Sequence, residues 1–546
     1  PSDLLLATST AIGVLDEAVA NDPDRLAEMQ RLFKKDPLFD FSEGNLQMFW
    51  YHRMLCSNYS EALPNLLASV NWSNPLMVYE VHRLLKAWNR PSPQQVIELL
   101  GYRYSDPVVR MYAVTILESI EEDRLIDIML QLVQALKYEP YHDSALARFL
   151  MRRALLSPRK TGQHFFWFLK SELHDPVIAE RFGLLMESFM RGCGGMRSEC
   201  VKQSELNRKL RSVADSIKKI RAEDERLTVQ RQLLSKLVLP DTFQIPLDCR
   251  IEASGLVVES CKYMDSAKKP MWMVFKNADL NGDNITVLFK SGDDLRQDLL
   301  TLQMMRIMEK LWQANGLDLR ITPYGCVTTG NFTGMIEVVP DAFTTSYLQK
   351  AAGGSLMAFA DDPIQKFLEK YNKTPQEMEK ATDNFIRSCA GYCVATYVLG
   401  IGDRHNDNIM VTKAGLLVHI DFGHFLGNFK TFLSFKRETA PFVLTPDMAY
   451  VMGGSNSEGF ARFSQFCCKA YNVVRANSHI FLNLFTLMLS TGIPELRKPE
   501  DINWLRNSFC LDMTEEEAEK EFTKLIQQSL NTKRTQLNNL IHNLAH

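Results

Sequence analysis

At 546 residues the chain exceeds what a single hydrophobic core organises, so three or four domains are expected, fewer if one is a large unit. Its 46% hydrophobic and 23% charged residues and net charge of −3 are ordinary for a soluble globular protein and give no global attraction for nucleic acid or membrane, so an anionic partner must be met by a local patch. The eleven cysteines include no Cys-x-x-Cys pair, with Cys389 and Cys393 four apart and Cys467 beside Cys468, which points to reduced thiols of a cytoplasmic protein and not to a zinc site or disulfide framework.

The chain opens at Pro1 with neither Met nor signal peptide, as a processed or partial chain would. Residues 1–35 read as an opening segment and linker with a helix start at Asn21-Asp22-Pro23-Asp24. Asp36-Pro37 closes it, because proline disfavours helix in the residue before it. Residues 36–200 read as a helical domain. Apolar residues recur three and four apart, as in Val108, Met111, Val114 and Leu117. Asp106-Pro107-Val108 and Asp175-Pro176-Val177 read as helix openings, where Asp caps the first N–H groups and Pro fits the first helical position. Short antiparallel helices in series imply a solenoid of stacked helix pairs, although no strict period accompanies it. His142, His164 and His174 lack convergent partners and read as structural. Phe165, Phe166, Trp167 and Phe168 read as core. Over 201–239, Leu206, Leu210, Val213, Ile217 and Ile220 alternate four and three apart. This predicts one long connecting helix or a hairpin of two, with a coiled-coil dimer as the alternative.

From Pro240 the period becomes that of strands. Leu256–Cys261, Met271–Phe275, Ile285–Phe289 and Met335–Val339 are short β-type runs, and a helix over about 294–314 separates the third from the fourth. Strands around one helix, then a mostly helical remainder, outline a two-lobed kinase. Residues 240–340 form the β-rich N-lobe, 341–546 the helical C-lobe, and Val338–Asp341 the hinge. Gly353-Gly354 to Asp362 reads as a surface loop. Later helices are expected over 383–399, 460–476, 480–489, 514–529 and 536–544. The run Ile480–Leu489 is interrupted by Asn483 and too short to span a bilayer, so membrane contact is expected to be peripheral. On the last helix Leu537, Leu540, Ile541 and Leu544 share a face that packs on the lobe or lies on a membrane. The fold class is therefore mainly α with an α+β part: a helical-repeat domain followed by a two-lobed kinase domain.

The chemistry concentrates in Gly402-Asp403-Arg404-His405-Asn406-Asp407-Asn408-Ile409-Met410 and His419-Ile420-Asp421-Phe422-Gly423-His424. An Asp, an Asn five residues on and then Asp-Phe-Gly supply, in order, a proton acceptor or charge stabiliser and two metal ligands for phosphoryl transfer. Asn408 and Asp421 are hard oxygen donors suited to Mg2+. His405 has a pKa range that suits it to take a hydroxyl proton or donate to the γ-phosphate, with Asp403 as base or orienting group. Lys290 ends a strand and is placed like a lysine that pairs with phosphate, with Asp298 or Asp421 as its acidic partner. The turn carrying Ser266 and Lys268-Lys269 has no Gly-x-Gly-x-x-Gly, so a clamp there would use Ser266, backbone N–H groups and Lys268.

Lys290-Ser291-Gly292-Asp293-Asp294-Leu295-Arg296-Gln297-Asp298, Pro323-Tyr324-Gly325-Cys326, the run 388–400 and the two stretches above strongly resemble the catalytic subunits of phosphoinositide 3-kinases. The resemblance covers nearly the whole chain, including a Phe-Trp-Phe-Leu-Lys-Ser-Glu-Leu run at 166–173 in the helical domain. It implies ATP and Mg2+ as cofactors. It implies Glu337 and Val339 as the hinge backbone that meets adenine. Met264, Trp272, Leu288, Ile336, Met410 and Ile420 would sandwich the purine, and Tyr324 and Asp298 would line the pocket behind it. It also implies a regulatory or adaptor subunit bound through the helical domain or domains upstream.

Substrate choice in that family is set by the segment 425–442, where Lys430, Lys436 and Arg437 would pair with inositol phosphates. Lys436-Arg437 resembles class I enzymes that accept phosphatidylinositol 4,5-bisphosphate. Glu438-Thr439-Ala440 departs from the class I continuation, and Ala440-Pro441-Phe442, the 445–450 stretch and the 540–545 end are closer to class II, which leaves phosphatidylinositol or its 4-phosphate as alternatives. The expectation is a kinase for the 3-hydroxyl of a membrane phosphoinositide, the bisphosphate favoured. A protein Ser/Thr kinase of the related large-kinase group is the alternative; the cationic segment argues against it. A solenoid scaffold with an inactive kinase domain is disfavoured because no expected catalytic residue is missing.

Overall fold

The computed structural model describes residues 22–266, 268–353, 362–428, 431–432, 435–436 and 440–532. The expected last helix, most of the 353–362 loop, and Lys430 and Arg437 lie outside the described residues. The chain divides into two units. The first comprises the described residues up to Ser157 together with Ser478–Gly492 and Leu496–Pro499; the second comprises Pro158–Asn477, Ile493–Glu495 and the described residues from Glu500.

In the first unit, polar caps and proline start the helices. Asp22 accepts from the amides of Asp24 and Arg25 ahead of Pro23–Phe33, and Asp106 accepts from Val108 and Val109 ahead of Pro107–Leu117. The latter helix buries Val109, Ala113, Val114, Ile116 and Leu117, while Met111 is 52% exposed, so the buried face is rotated from the one the spacing suggested. Arg110 sits inside that face. Its guanidinium donates to Glu139 at 2.8 Å and to the carbonyls of Leu100, Tyr104 and Ala135 at 3.0–3.2 Å, satisfying helix-end acceptors with one buried cation. Ser478–Leu487 packs on Glu122–Ala135, although eleven α-helices of the described chain separate them in sequence order.

In the second unit, Thr161–Glu172 buries Phe165, Phe166, Trp167 and Phe168 as expected. Asp175 does not cap the next helix. Its carboxylate takes the Val177 amide and its carbonyl takes Ile178 and Ala179, making a separate turn before Ala179–Gly192. The connecting segment is a hairpin, α1 Met196–Ile217 and α2 Glu223–Ser235, closed by Arg226 donating to Ile220 O at 3.1 Å.

Strands β1 Phe243–Ile245, β2 Asp248–Leu256, β3 Lys262–Tyr263, β4 Met271–Asn277, β5 Ile285–Ser291, β6 Cys326–Gly330 and β7 Thr333–Glu337 form an antiparallel sheet of order β1-β2-β4-β5-β7-β6, with β3 beside β4. The expected Leu256–Cys261 strand is instead the end of β2 and a 3₁₀ turn. The backbone there bonds locally, Ser260 N to Val257 O and Cys261 N to Val258 O, and Cys261 is drawn fully into the core. Helix α1 is tied to the sheet by Asn207, which bonds Thr329 at 2.8 Å and Thr333 at 3.3 Å. Helix α3, Arg296–Ala314, follows β5. After the hinge, β8 Ala342–Thr344, β9 Ile409–Thr412 and β10 Leu417–His419 make a small sheet. Helix α4, Pro375–Leu399, starts with a Thr374/Glu377 capping box and ends at Gly400. Gly400 has φ +59°, and a Cβ there would meet Gly427 N at 2.4 Å and Trp504 Nε1 at 2.5 Å, so only glycine turns the chain into the following loop.

Candidate active site

Strand alternation builds one wall. Across the sheet Trp272 pairs with Leu288, Leu288 with Ile336 and Ile336 with Cys326, so these four share a face, and Lys290, two residues on from Leu288 and opposite Gly334, joins them. The other face carries Met273, Val287, Phe289 and Met335, all fully buried. Trp272, Leu288 and Lys290 are only half-buried and Ile336 is 9% exposed. Spacing alone does not separate a pocket wall from core; exposure separates the two faces. Met264, 39% exposed, precedes a tight turn in which its amide donates to Pro270 O at 2.8 Å and Ser266 O accepts from Lys269. Lys268 Nζ donates to Gly292 O at 3.1 Å. Lys269 is bound to Asp265.

Lys290 lies in the field of three aspartates. Burial alone would lower its pKa, but Asp298, Asp421 and Asp293 outweigh it and raise the ammonium above its ordinary value. Asp298, 4% exposed on the first turn of α3, is pushed up by burial and by Asp421, against the pull of Lys290. Its Oδ1 accepts the Phe422 amide at 3.0 Å. Tyr324 lies with its ring parallel to Phe422 at 6.4 Å, and burial, then Asp298 and Cys326, raise its phenol pKa. At the hinge the Glu337 amide donates to Gly325 O at 2.8 Å and its carboxylate accepts Gly325 N at 2.7 Å, while Val339 is half-buried.

The opposite wall is the 402–410 loop with the strand ahead of Asp-Phe-Gly. Met410 on β9 pairs with Val418 on β10, and Ile420 N donates to Asn408 O at 2.9 Å; both side chains are half-buried. Asp403 and Asp421 have φ of +57° and +59°, a left-handed conformation uncommon for non-glycine residues. Arg404, 6% exposed, holds both places. It donates to Gly402 O at 3.0 Å, to Ile420 O at 2.7 Å and to Asp421 O, and lies 5.5 Å over the Phe422 ring. Asn408 Nδ2 donates to Asp403 O at 2.8 Å and lies 3.1 Å from His405 Nε2, and the Asp407 amide meets His405 Nδ1 at 3.3 Å. His419 stacks on Tyr392 at 5.1 Å, and burial, then Arg404, drive its pKa well below the ordinary histidine value, so it stays neutral.

Among the described residues no three His, Cys, Asp or Glu converge as a self-contained metal site. Asn408 and Asp421 nevertheless fit a magnesium ion that keeps waters and phosphate oxygens as its other ligands. With Asn408 Nδ2 committed to Asp403 O, its amide oxygen is the hard donor left to offer, alongside the exposed Asp421 carboxylate.

Residues 284–498 match the model of the phosphatidylinositol 3- and 4-kinase family, and residues 17–202 match the phosphoinositide 3-kinase family accessory domain. The chain belongs to this kinase family. It is 50% identical over 543 residues to phosphatidylinositol 3-kinase 1 of Dictyostelium discoideum, covering 98% of this chain and 34% of that protein. It is 47% identical over 525 residues to phosphatidylinositol 3-kinase 2 of the same organism, covering 96% of this chain and 28% of the relative. It is 41% identical over 525 residues to the human phosphatidylinositol 4-phosphate 3-kinase C2 domain-containing subunit beta, covering 95% of this chain and 32% of the relative. The chain thus spans about a third of the length of the curated relatives it matches.

Two residues that position the site carry no mark of that role in the sequence. Arg404 sits between the Asp and His of the motif and holds the carbonyls on either side of the site. Glu495, which bonds His424 and Phe425, lies seventy residues from them with no local pattern to mark it. Of the three cations expected at the headgroup, only Lys436 falls in a described element, a two-residue strand opposite Thr431–Phe432.

Proposed function

We propose that the chain transfers the γ-phosphoryl group of ATP to the 3-hydroxyl of the inositol ring of a phosphoinositide at a membrane surface. The observation that carries this reading is the set of acidic charges acting on Lys290, those of Asp298, Asp421 and Asp293, with Asp421 and the Asn408 whose carbonyl accepts the Ile420 amide offering hard oxygen donors. The purine lies against Trp272, Leu288 and Ile336 on one side and Met410 and Ile420 on the other, with Met264 at the edge and Tyr324 and Asp298 behind. At the hinge the Glu337 amide is already committed to Gly325, so Glu337 offers adenine its carbonyl and Val339 its amide. Lys290, with Lys268 and Ser266 from the β3–β4 turn, holds phosphate oxygens. Asn408 and Asp421 would hold magnesium, which when bound would neutralise charge on the phosphates. The 3-hydroxyl oxygen bonds to the γ-phosphorus as the bond to the bridging oxygen breaks, leaving ADP. The hydroxyl proton passes to His405, oriented by Asp403, or to Asp403 itself.

Lys430, Lys436 and Arg437 pair with headgroup phosphates, which favours phosphatidylinositol 4,5-bisphosphate. A second reading, phosphatidylinositol 4-phosphate, is supported by the name of the human relative and by the class II-like Ala440-Pro441-Phe442. Recruitment to membrane is proposed as peripheral; among the described residues no helix is long and apolar enough to cross one. A regulatory or adaptor subunit is proposed from the family resemblance alone.

Labelled ATP with vesicles of each phosphoinositide, beside a protein substrate, tests this reading. Lipid label is expected; protein label without lipid label would sink it. Changing Lys436 and Arg437 together to Ala should reduce use of the bisphosphate more than of phosphatidylinositol, and equal loss on both would remove the loop argument.

A further inference from the structure

The Asp421-Phe422-Gly423 stretch is clamped at three places. Arg404 holds the carbonyls of Ile420 and Asp421, and Asp298 holds the amide of Phe422. The third clamp lies past Gly423. Glu495 Oε1 is 2.8 Å from His424 Nδ1, and its Oε2 accepts the Phe425 amide at 2.9 Å and Gln297 Nε2 at 3.0 Å. The carboxylate is largely shielded, with 17% of its side chain exposed, and Gln297 and Phe425 are buried. An ionised carboxylate only accepts, so the His424 proton must sit on Nδ1 and its Nε2 is the ring's acceptor when the ring is neutral. The His424 carbonyl in turn accepts the Gly402 amide at 3.0 Å, next to Asp403. Gln297 neighbours Asp298 on the first turn of α3. One carboxylate therefore joins α3, the root of the 425–442 segment and, through His424, the 402–410 loop.

We propose that Glu495 is a positioning residue for phosphoryl transfer: it fixes the tautomer of His424 and the exit of the chain from Asp-Phe-Gly, and thereby the approach of the acceptor hydroxyl. The inference rests on the lipid-kinase reading for its activity arm. The clamp acts on the acceptor side of Asp421, whereas the adenine wall and Lys290 are built by β4, β5 and β7, so its loss acts on transfer and leaves ATP binding intact.

The test uses the whole chain, selectively 15N-labelled at histidine, as wild type and as Glu495→Ala. The wild type is expected to show the His424 signal of an Nδ1-protonated ring, and Glu495→Ala a shift toward the Nε2-protonated form. Turnover on phosphoinositide vesicles should fall about 10- to 100-fold, as displaced reacting groups do, while KM for ATP and Tm change little. Gln297→Ala, which removes one of the three bonds and keeps the carboxylate, should cost only a few-fold in turnover. It serves as the readout if Glu495→Ala lowers Tm by several degrees. An unchanged tautomer, unchanged turnover, or a rise in KM for ATP with turnover intact would each overturn the proposal. A wild type inactive on lipid, with the Nδ1-protonated signal lost in Glu495→Ala, would instead overturn the lipid-kinase reading and support the clamp.

Discussion

Lys290 and Glu98 are both half-buried ionisable groups, one in each unit, and they meet opposite fates. The charges of Asp298, Asp421 and Asp293 act on Lys290, overcome burial and hold its charge more firmly than water does. Glu98 shares a cavity of about 10 Å3 with Tyr104, Arg103 and Asn483, and burial pushes its carboxyl up to about 7 despite Arg103 and hydrogen bonds from Tyr104 and Asn483. Burial penalises charge in both. What differs, among the described residues, is the number of opposite charges that act on each: Asp298, Asp421 and Asp293 on the lysine, Arg103 on the glutamate. A fold that assembles several carboxylates about one lysine bears their mutual repulsion, and a phosphate-binding site is a reason to do so.

That contrast can be broken by substitution. Lys290→Met should cost the most, about 10²- to 10³-fold in turnover, the scale of losing a preorganised charge on the transferring group. Steady-state kinetics at saturating ATP measures it. Lys268 sharpens the comparison, because it is exposed and, among the described residues, its ammonium meets the carbonyl of Gly292. Lys268→Ala should raise KM for ATP about tenfold, the worth of one charge-assisted hydrogen bond, and change maximal turnover less. Equal losses in the two variants would erase the distinction between a caged and an open lysine. Glu98→Gln should leave turnover unchanged and act on stability. The folded chain holds the Glu98 proton more tightly than the unfolded chain, whose carboxyl titrates near 4.5, so this contribution is complete below that pH and is lost as pH rises toward 7. It amounts to on the order of 2–3 kcal/mol, and denaturant unfolding of Glu98→Gln should lose that slope between about pH 5 and 7. A wild-type stability that rises over the same interval would contradict the assignment.

The site was legible where it is local in sequence and illegible where it is assembled at distance. Asp403, His405, Asn408 and Asp421 fall within nineteen residues, and their order follows the order of the tasks proposed for them. Lys290 was readable because a strand ends beside it. The roles suggested for Trp272, Leu288 and Ile336 came only from family resemblance, since apolar alternation is the same on both faces and exposure alone distinguishes Leu288 from Phe289. The turn at 257–261 was misread as strand because Val257 and Val258 favour β structure, while local backbone bonds and the buried Cys261 decide the outcome. Asp175-Pro176 looked like a cap, but that residue pair also opens isolated turns. Arg110 carried no signal of burial, because its partners, the Glu139 carboxylate and the carbonyls of Leu100, Tyr104 and Ala135, are brought to it only by folding. Glu495 joins His424 only through tertiary folding, and nothing in Gly492-Ile493-Pro494-Glu495 announces it.

Asp421 is where the clamps of Arg404 and Asp298, the charge on Lys290 and the proposed magnesium site meet. The most direct measurement follows labelled phosphate from ATP into phosphoinositide vesicles, with the labelled ring position determined, for wild type and Asp421→Asn at matched Tm. The account predicts label at the 3-position for the wild type and none for Asp421→Asn. Label at another ring position, or turnover surviving in Asp421→Asn, would contradict it.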